Sequence, residues 1–298
     1  MKPAEIIAQN LIAAINKGVS PWARPWRSSG QPAPRNGISK RVYNGINFFI
    51  LAMSGFDSPN WFTFNSLKPH GANVKKGEKG TPVALWVFPD KAKKAAAAAA
   101  GKAAPRPFLK YYVVFNERQI ENLPEKLQWV APVVTEGTAG ELIPAAEAAL
   151  QRWSDEQAKT TWGGSNRAFY RPSMDTITMP ARESFETFDG MYHTAFHECA
   201  HSTGHKTRLD RDFSGEFGTK EYAREELVAE LTASLCGQHF CFDVKGNDAA
   251  YLHSWIKKLD GDAGEIMKAA SKAQKAFDML IGKVYEKEEE EPVIESAV

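Results

Sequence analysis

The stretch AFHECAHSTGH, Ala195–His205, decides the reading of this 298-residue chain, because it sets His197, Glu198 and His201 in the order H-E-x-x-H. On an α-helix, residues four apart lie one turn above each other, so His197 and His201 can offer two imidazoles to one cation. Glu198 falls at the edge of that face, where it can serve as a general base toward water. The bland alternative is a surface helix with two solvated histidines. The neighbours Ala195, Phe196, Cys199 and Ala200 argue against it, since they are apolar and hold the helix on a core. A buried carboxylate beside two imidazoles is costly unless something cationic satisfies it.

Two histidines leave a catalytic zinc site one protein ligand short. The acidic segment KEYAREELVAELTASL, residues 220–235, supplies Glu221, Glu225, Glu226 and Glu230. Glu226 and Glu230 share a helix face with Ala229 and Ala233, small residues that allow close approach of another helix. Glu226 is read as the ligand and Glu230 as the acceptor that orients an imidazole, with the reverse order left open. Glu221 and Glu225 are read as a solvated face. Gly204 predicts the end of the motif helix, which makes His205 a substrate-pocket residue, with Tyr170 and Tyr192 as further candidates there. His193, His239 and His253 are expected to be structural or exposed. Cys236, His239 and Cys241 read as the end of an apolar helix, because a second metal clip would need another ligand pair.

Composition is that of an ordinary globular protein, 43% apolar and 24% charged. No apolar run is long enough to span a bilayer, and the N-terminal pattern is interrupted by Glu5, Gln9 and Asn10, unlike a signal peptide. Three cysteines are an odd number, which fits a reducing cytoplasm better than a disulfide framework. The expectation is a cytoplasmic protein with no membrane partner. Its net charge of +1 hides two opposed halves: residues 1–130 carry 19 Lys+Arg against 7 Asp+Glu, and the remainder 18 against 29. A positive first half favours a polyanionic partner and excludes an acidic DNA mimic there. Sixteen of the 33 aromatics also lie in residues 1–130, interleaved with Lys and Arg. That combination suits stacking platforms beside a phosphate-tracking groove. Candidates for this face are Trp22, Arg24, Trp26, Arg27, Arg35, Arg41, Tyr43, Lys75, Lys76 and Lys79. No base-reading element such as a helix-turn-helix is visible, so binding should be sequence-tolerant and steeply salt-dependent.

Periodicity predicts an amphipathic helix over residues 3–17, a buried helix over 43–53, and strands over 81–88 and 107–115. Between those strands, PDKAKKAAAAAAGKAAPR has no apolar face to bury and is expected to leave the hairpin as an unpacked excursion. In the second half, a helix over 139–153 precedes short strands at 168–170 and 176–179. Helices follow near 189–203, 220–238, 248–259 and 262–281.

The segments YHTAFHECAHSTGHKTRLDR and REELVAEL resemble the zinc-dependent peptidase domain of plasmid antirestriction proteins of the ArdC type, and YRPSMDTITMP is similar to the strand segment before its metal helix. YNGINFFIL, WFTFNSLKPHGANVKKGEKGTPVALWVF and YYVVFNERQIENLP resemble that family's N-terminal single-stranded-DNA-binding domain. The resemblance covers nearly the whole chain apart from the alanine-rich insertion and the acidic tail. It implies metal ligands at His197, His201 and Glu226, a catalytic Glu198, and zinc as cofactor, with manganese or another divalent metal as the alternative. It also implies an α+β protein: a basic DNA-binding domain over 1–130, a mainly helical zincin-like domain with a small antiparallel sheet over 131–285, and a disordered acidic tail over 286–298. The implied function is protection of incoming plasmid DNA through binding of single-stranded DNA and action on a protein target, with the host restriction machinery as the candidate. Rival readings are a DNA-binding protection protein with a structural metal and a DNA-tethered repair or regulatory protease.

Overall fold

The computed structural model describes residues 3–16, 33–130, 142–242 and 254–283. The first half is built on a four-stranded sheet in the order β1 (Arg35–Asn36), β2 (Asn60–Thr63), β5 (Phe108–Asn116), β4 (Thr81–Val87). β2 is one of the two interior strands, and its successive side chains serve two cores. Trp61 faces Tyr43, Leu51, Val83 and Val114, while Phe62 faces Leu67, Ala72, Ile120 and Leu127. Helix α2 (Ile46–Ala52) guards the open edge of β4: the Asn47 side chain donates to the Ala84 carbonyl at 2.8 Å and accepts from the Ala84 amide at 2.7 Å. This pairing blocks one point of an edge that could otherwise recruit another strand. The short helix α3 (Phe64–Leu67) and the β3 (Asn73–Val74)/β6 (Ile120–Glu121) pair complete this half. The alanine-rich insertion leaves the β4–β5 hairpin as expected and forms the short, largely exposed helix α4 (Lys91–Ala99). Alanine's helix propensity carries it without an apolar face to bury.

The second half contains α5 (Pro144–Glu156), α6 (Phe188–Thr203), α7 (Lys220–Phe240) and α8 (Ala263–Leu280). Its sheet has the order β7 (Lys159–Trp162), β9 (Thr176–Met179), β8 (Phe169–Arg171). The expected antiparallel pair is β8–β9, and β7 joins it in parallel. Thr187 caps α6 by accepting from the Gly190 amide at 3.1 Å, and Thr219 caps α7 by accepting from Tyr222 at 3.2 Å. Phe196 fastens the apolar side of α6, stacking on Phe240 at 5.1 Å and Phe242 at 5.8 Å.

The halves share a core. Helix α1 (Pro3–Asn16) contributes Ile7, Ala8 and Leu11 to the cluster that holds Ile266, Ala269 and Ala270 of α8. The Gly45 amide also donates to Gln274 at 3.0 Å. A helical segment at 254–258 brings Trp255 and Ile256 into that cluster; residues 248–253 of the expected 248–259 helix, the boundary near 131 and the acidic tail fall outside the described residues. Among the described residues, no helix is long and apolar enough to cross a membrane.

Candidate metal centre

α6 and α7 pack face to face, and the imidazoles of one meet the carboxylates of the other. His197 Nε2 and His201 Nε2 are 3.1 Å apart. Glu226 faces both, with Oε2 3.5 Å from His197 Nε2 and Oε1 3.6 Å from His201 Nε2. Behind them, His197 Nδ1 is 3.1 Å from Glu230 Oε2 and His201 Nδ1 is 3.1 Å from Glu225 Oε1. A carboxylate on each Nδ1 favours the tautomer whose Nε2 carries a lone pair. Two such lone pairs at contact distance repel unless a proton or cation lies against them, so these residues suit a divalent metal. Atoms of His197, His201 and Glu226 lie within 4.8 Å of one another. Glu198 is buried on α6, and its charge contributes to the raised pKa of His197.

Burial opposes a charge on His197, but the bonds to Glu226 and Glu230 outweigh it and hold its pKa well above the ordinary imidazole value. Burial likewise opposes ionisation of Glu230 and Glu225, yet both carboxyls are held below their usual range, Glu230 by His193 and His197 and Glu225 by Arg211 and His201. The two supports differ in their far partners. Glu230 also meets His193, Nε2 to Oε1 at 3.3 Å, an ion-pair distance without hydrogen-bond alignment. Glu225 is gripped by Arg211, whose Nε and Nη2 donate to its two oxygens at 2.8 and 2.7 Å.

Glu225 therefore corrects the expectation of a solvated face. From Glu225 onward α7 is buried around most of its circumference, so the position beside a core residue is interior too. Arg211 is a residue that sequence reasoning missed. Its Nη1 donates to Thr203 Oγ1 and its Nη2 to the Ala200 carbonyl, each at 2.7 Å, which closes the C-terminal end of α6. Gly204 ends the helix as expected, but not through a left-handed turn: its φ is −80°. A Cβ there would stand 2.7 Å from the Phe213 ring and 2.9 Å from the Arg211 guanidinium, so glycine makes room for the returning loop. Tyr222, another omission, lies four residues before Glu226 on α7; burial pushes its phenol pKa up, and the neighbouring Glu226 carboxylate pushes it the same way. Its i, i+4 spacing from Glu226 was the available signal.

The expected pocket residues do not gather at these ligands. Tyr192 is wholly buried and faces α5, accepting from the Ile143 amide at 2.9 Å and donating to Glu147 at 2.8 Å. Its place in the core overrides the pocket assignment. Tyr170 donates to Asp175 at 2.8 Å, and Arg208 holds the same carboxylate with Nη1 at 2.9 Å. His205 joins that cluster, its Nδ1 2.8 Å from Thr207 Oγ1 and 3.6 Å from Asp175 Oδ2.

Of the expected DNA-facing residues, Trp22, Arg24, Trp26 and Arg27 lie outside the described residues. Arg41, Lys75, Lys76 and Lys79 are exposed, and Lys75 donates to the Arg118 carbonyl at 2.8 Å. Arg35 is half-buried and donates to Asn60 at 2.9 Å. Tyr43 is a correction: the turn after β1 doubles back, its amide donates to the Pro34 carbonyl at 2.8 Å, and the ring enters the Trp61 core.

Two imidazoles on one helix and a carboxylate on the next are the ligand arrangement of a zincin-like site, and residues 146–272 match a zincin-like metallopeptidase family. Residues 1–115 match the N-terminal domain of anti-restriction factor ArdC. The chain resembles the antirestriction ArdC protein of plasmid R388 in its Mn(II)-bound crystal structure, with 33% identity, a TM-score of 0.71, and coverage of 93% of this chain and 96% of that one. The metal-free structure of that protein gives a TM-score of 0.69. The uncharacterized protein y4eC of Sinorhizobium fredii is 34% identical over 93% of this chain and 90% of its own length. Two DNA primases TraC of Escherichia coli are 36% and 35% identical, but the chain spans only 20% and 27% of their lengths. The chain belongs to the ArdC family of antirestriction proteins.

Proposed function

We propose that this protein binds single-stranded DNA without strong sequence preference and carries a zinc-dependent metallopeptidase centre, protecting incoming plasmid DNA from restriction in the cytoplasm. The observation that carries the peptidase half is the facing pair of His197 and His201 Nε2 atoms, 3.1 Å apart, under the Glu226 carboxylate. His197, His201 and Glu226 would hold the ion, which is zinc or, as in the R388 relative, manganese. A cation there supplies a Lewis acid that polarises a peptide carbonyl and acidifies water. Glu198 takes the proton from the attacking water and passes it to the leaving amine. Glu225 and Glu230 keep both imidazoles in one tautomer and orientation. Burial and the Glu226 carboxylate keep Tyr222 protonated on the same face of α7. The DNA half rests on the positive first half of the chain and the match to the ArdC N-terminal domain.

The test pairs metal analysis with activity. Wild type and Glu198→Gln should each carry one equivalent of divalent metal, and His197→Ala none. Cleavage of a protein bound to single-stranded DNA should occur with wild type alone. Equal cleavage by Glu198→Gln would remove the peptidase assignment, and no wild-type cleavage with metal bound would leave a structural metal.

A further inference from the structure

A sheet with one face on a core normally turns a polar face to water, and the outer half of the β4–β5 hairpin breaks that rule on both sides. Leu85 pairs with Lys110, Trp86 with Leu109 and Val87 with Phe108. Trp86 and Tyr111 stand diagonally on one face, with exposures of 53% and 45%; Phe108 stands on the other at 48%. Phe88, just past the strand, is 50% exposed. Trp86 and Tyr111, half-exposed on the same face, form an apolar patch of the kind that marks an interaction site.

The surrounding charge says what class of partner suits it. The sequence from Trp86 to Val113 holds six Lys and Arg against a single acid, Asp90. Lys93, Lys94, Lys102 and Arg106 are exposed around the turn, and Lys110 lies over the Phe108 ring at 5.5 Å. An apolar protein partner would gain nothing from so many cations, and a DNA duplex keeps its base faces stacked away from such rings. Single-stranded DNA has both the free π-faces and the phosphates. We propose that the outer half of this hairpin is a stacking surface for single-stranded DNA, with Trp86 and Tyr111 as platforms and the cations of the turn tracking the backbone. This rests on the DNA-binding reading above but assigns it to residues outside the arginine- and tryptophan-rich sequence 21–37 and the lysines at 75–79.

Full-length protein is titrated against a labelled oligothymidylate of about 16 nucleotides and read by anisotropy. Trp86→Ala and Tyr111→Ala should each weaken binding about tenfold, while Trp86→Phe retains most of it because a ring remains. Replacing Lys93, Lys94, Lys102 and Arg106 with serine should lower the slope of log K against log salt by up to about 3. The replaced side chains are exposed, and an unchanged melting temperature verifies folding. If wild type binds and the alanine variants bind equally well, the hairpin assignment falls while DNA binding stands. If wild type does not bind, both fall. Unchanged DNA affinity together with a shift from dimer to monomer in the double alanine variant would make the patch a contact between copies of this chain, which also overturns the proposal.

Discussion

The α6–α7 face and the β4–β5 hairpin are both crowded with charged and aromatic groups, yet they hold them in opposite ways. Between the helices the supporting charges are buried against named partners: His201 against Glu225, Glu225 against Arg211, His197 against Glu230. Along the hairpin, cations and rings stand in water with few fixed partners. The first arrangement fixes geometry, which a metal demands; the second keeps contacts replaceable, which suits a partner of variable sequence. Single substitutions should therefore be severe between the helices and mild on the hairpin.

The severest test is Arg211→Met. It strands the Glu225 carboxylate in the interior and frees carbonyls at the end of α6, a loss of about 3–5 kcal/mol in a denaturant titration. Arg211→Met combined with Glu225→Gln should recover part of that loss, because the stranded charge is gone. A loss below about 1 kcal/mol in the single variant would mean that the buried pair behaves like a surface one, and the contrast would fail.

Metal binding comes next. With zinc or manganese at about a hundred times its Kd, the protein should gain about 2.7 kcal/mol of stability, and a chelator should remove it. His197 is held protonated by its carboxylates but must ligate as the neutral base. Binding should then release a proton, seen as a buffer-dependent enthalpy in calorimetry, and weaken as pH falls. A buffer-independent enthalpy would contradict the raised pKa of His197.

Acid should act more gradually. Glu225, Glu226 and Glu230 all ionise below the ordinary carboxylate value in the folded chain. Each contributes stability that is complete above about pH 4.5 and is lost as pH falls through its lowered folded value. The slope is at most about 1.4 kcal/mol per pH unit for each group. Metal-free protein melted between neutrality and pH 3 should show stability falling only in the acid range. A fall already present near pH 6 would come instead from a group whose folded form resists protonation, as burial makes His239 do, because the raised pKa of His197 favours the fold as pH drops.

How much of this was readable in advance follows the same division. Helical spacing alone aligns His197 with His201, and it set Glu226 and Glu230 on one face of α7. Spacing cannot reveal that α7 is enclosed on most sides, so by sequence Glu225 reads as solvated. Nor could it reach Arg211, whose role depends on a loop folding back over Gly204. In the first half, composition announced a polyanion partner but not which aromatics point outward. Tyr43 faces the Trp61 core because of a backbone turn, and Trp86 stands half in water on the outer half of its hairpin. Local pattern carries periodicity; it does not carry which surface a distant segment covers.

The mildest expected effect bears directly on that last point. Trp86 and Trp61 belong to neighbouring parts of one sheet, but Trp61 is buried under Phe56, with ring centroids 5.6 Å apart and nearly perpendicular, and Trp86 is half in water. Trp61→Ala leaves a cavity and should cost about 3–5 kcal/mol. Trp86→Ala empties nothing that the rest of the core must fill, so its cost should stay within about 0.5 kcal/mol. Urea midpoints of the two variants measure the difference. A Trp86→Ala loss approaching that of Trp61→Ala would mean the ring is structural, and any drop in DNA affinity in that variant would then report unfolding of the hairpin instead of a missing platform.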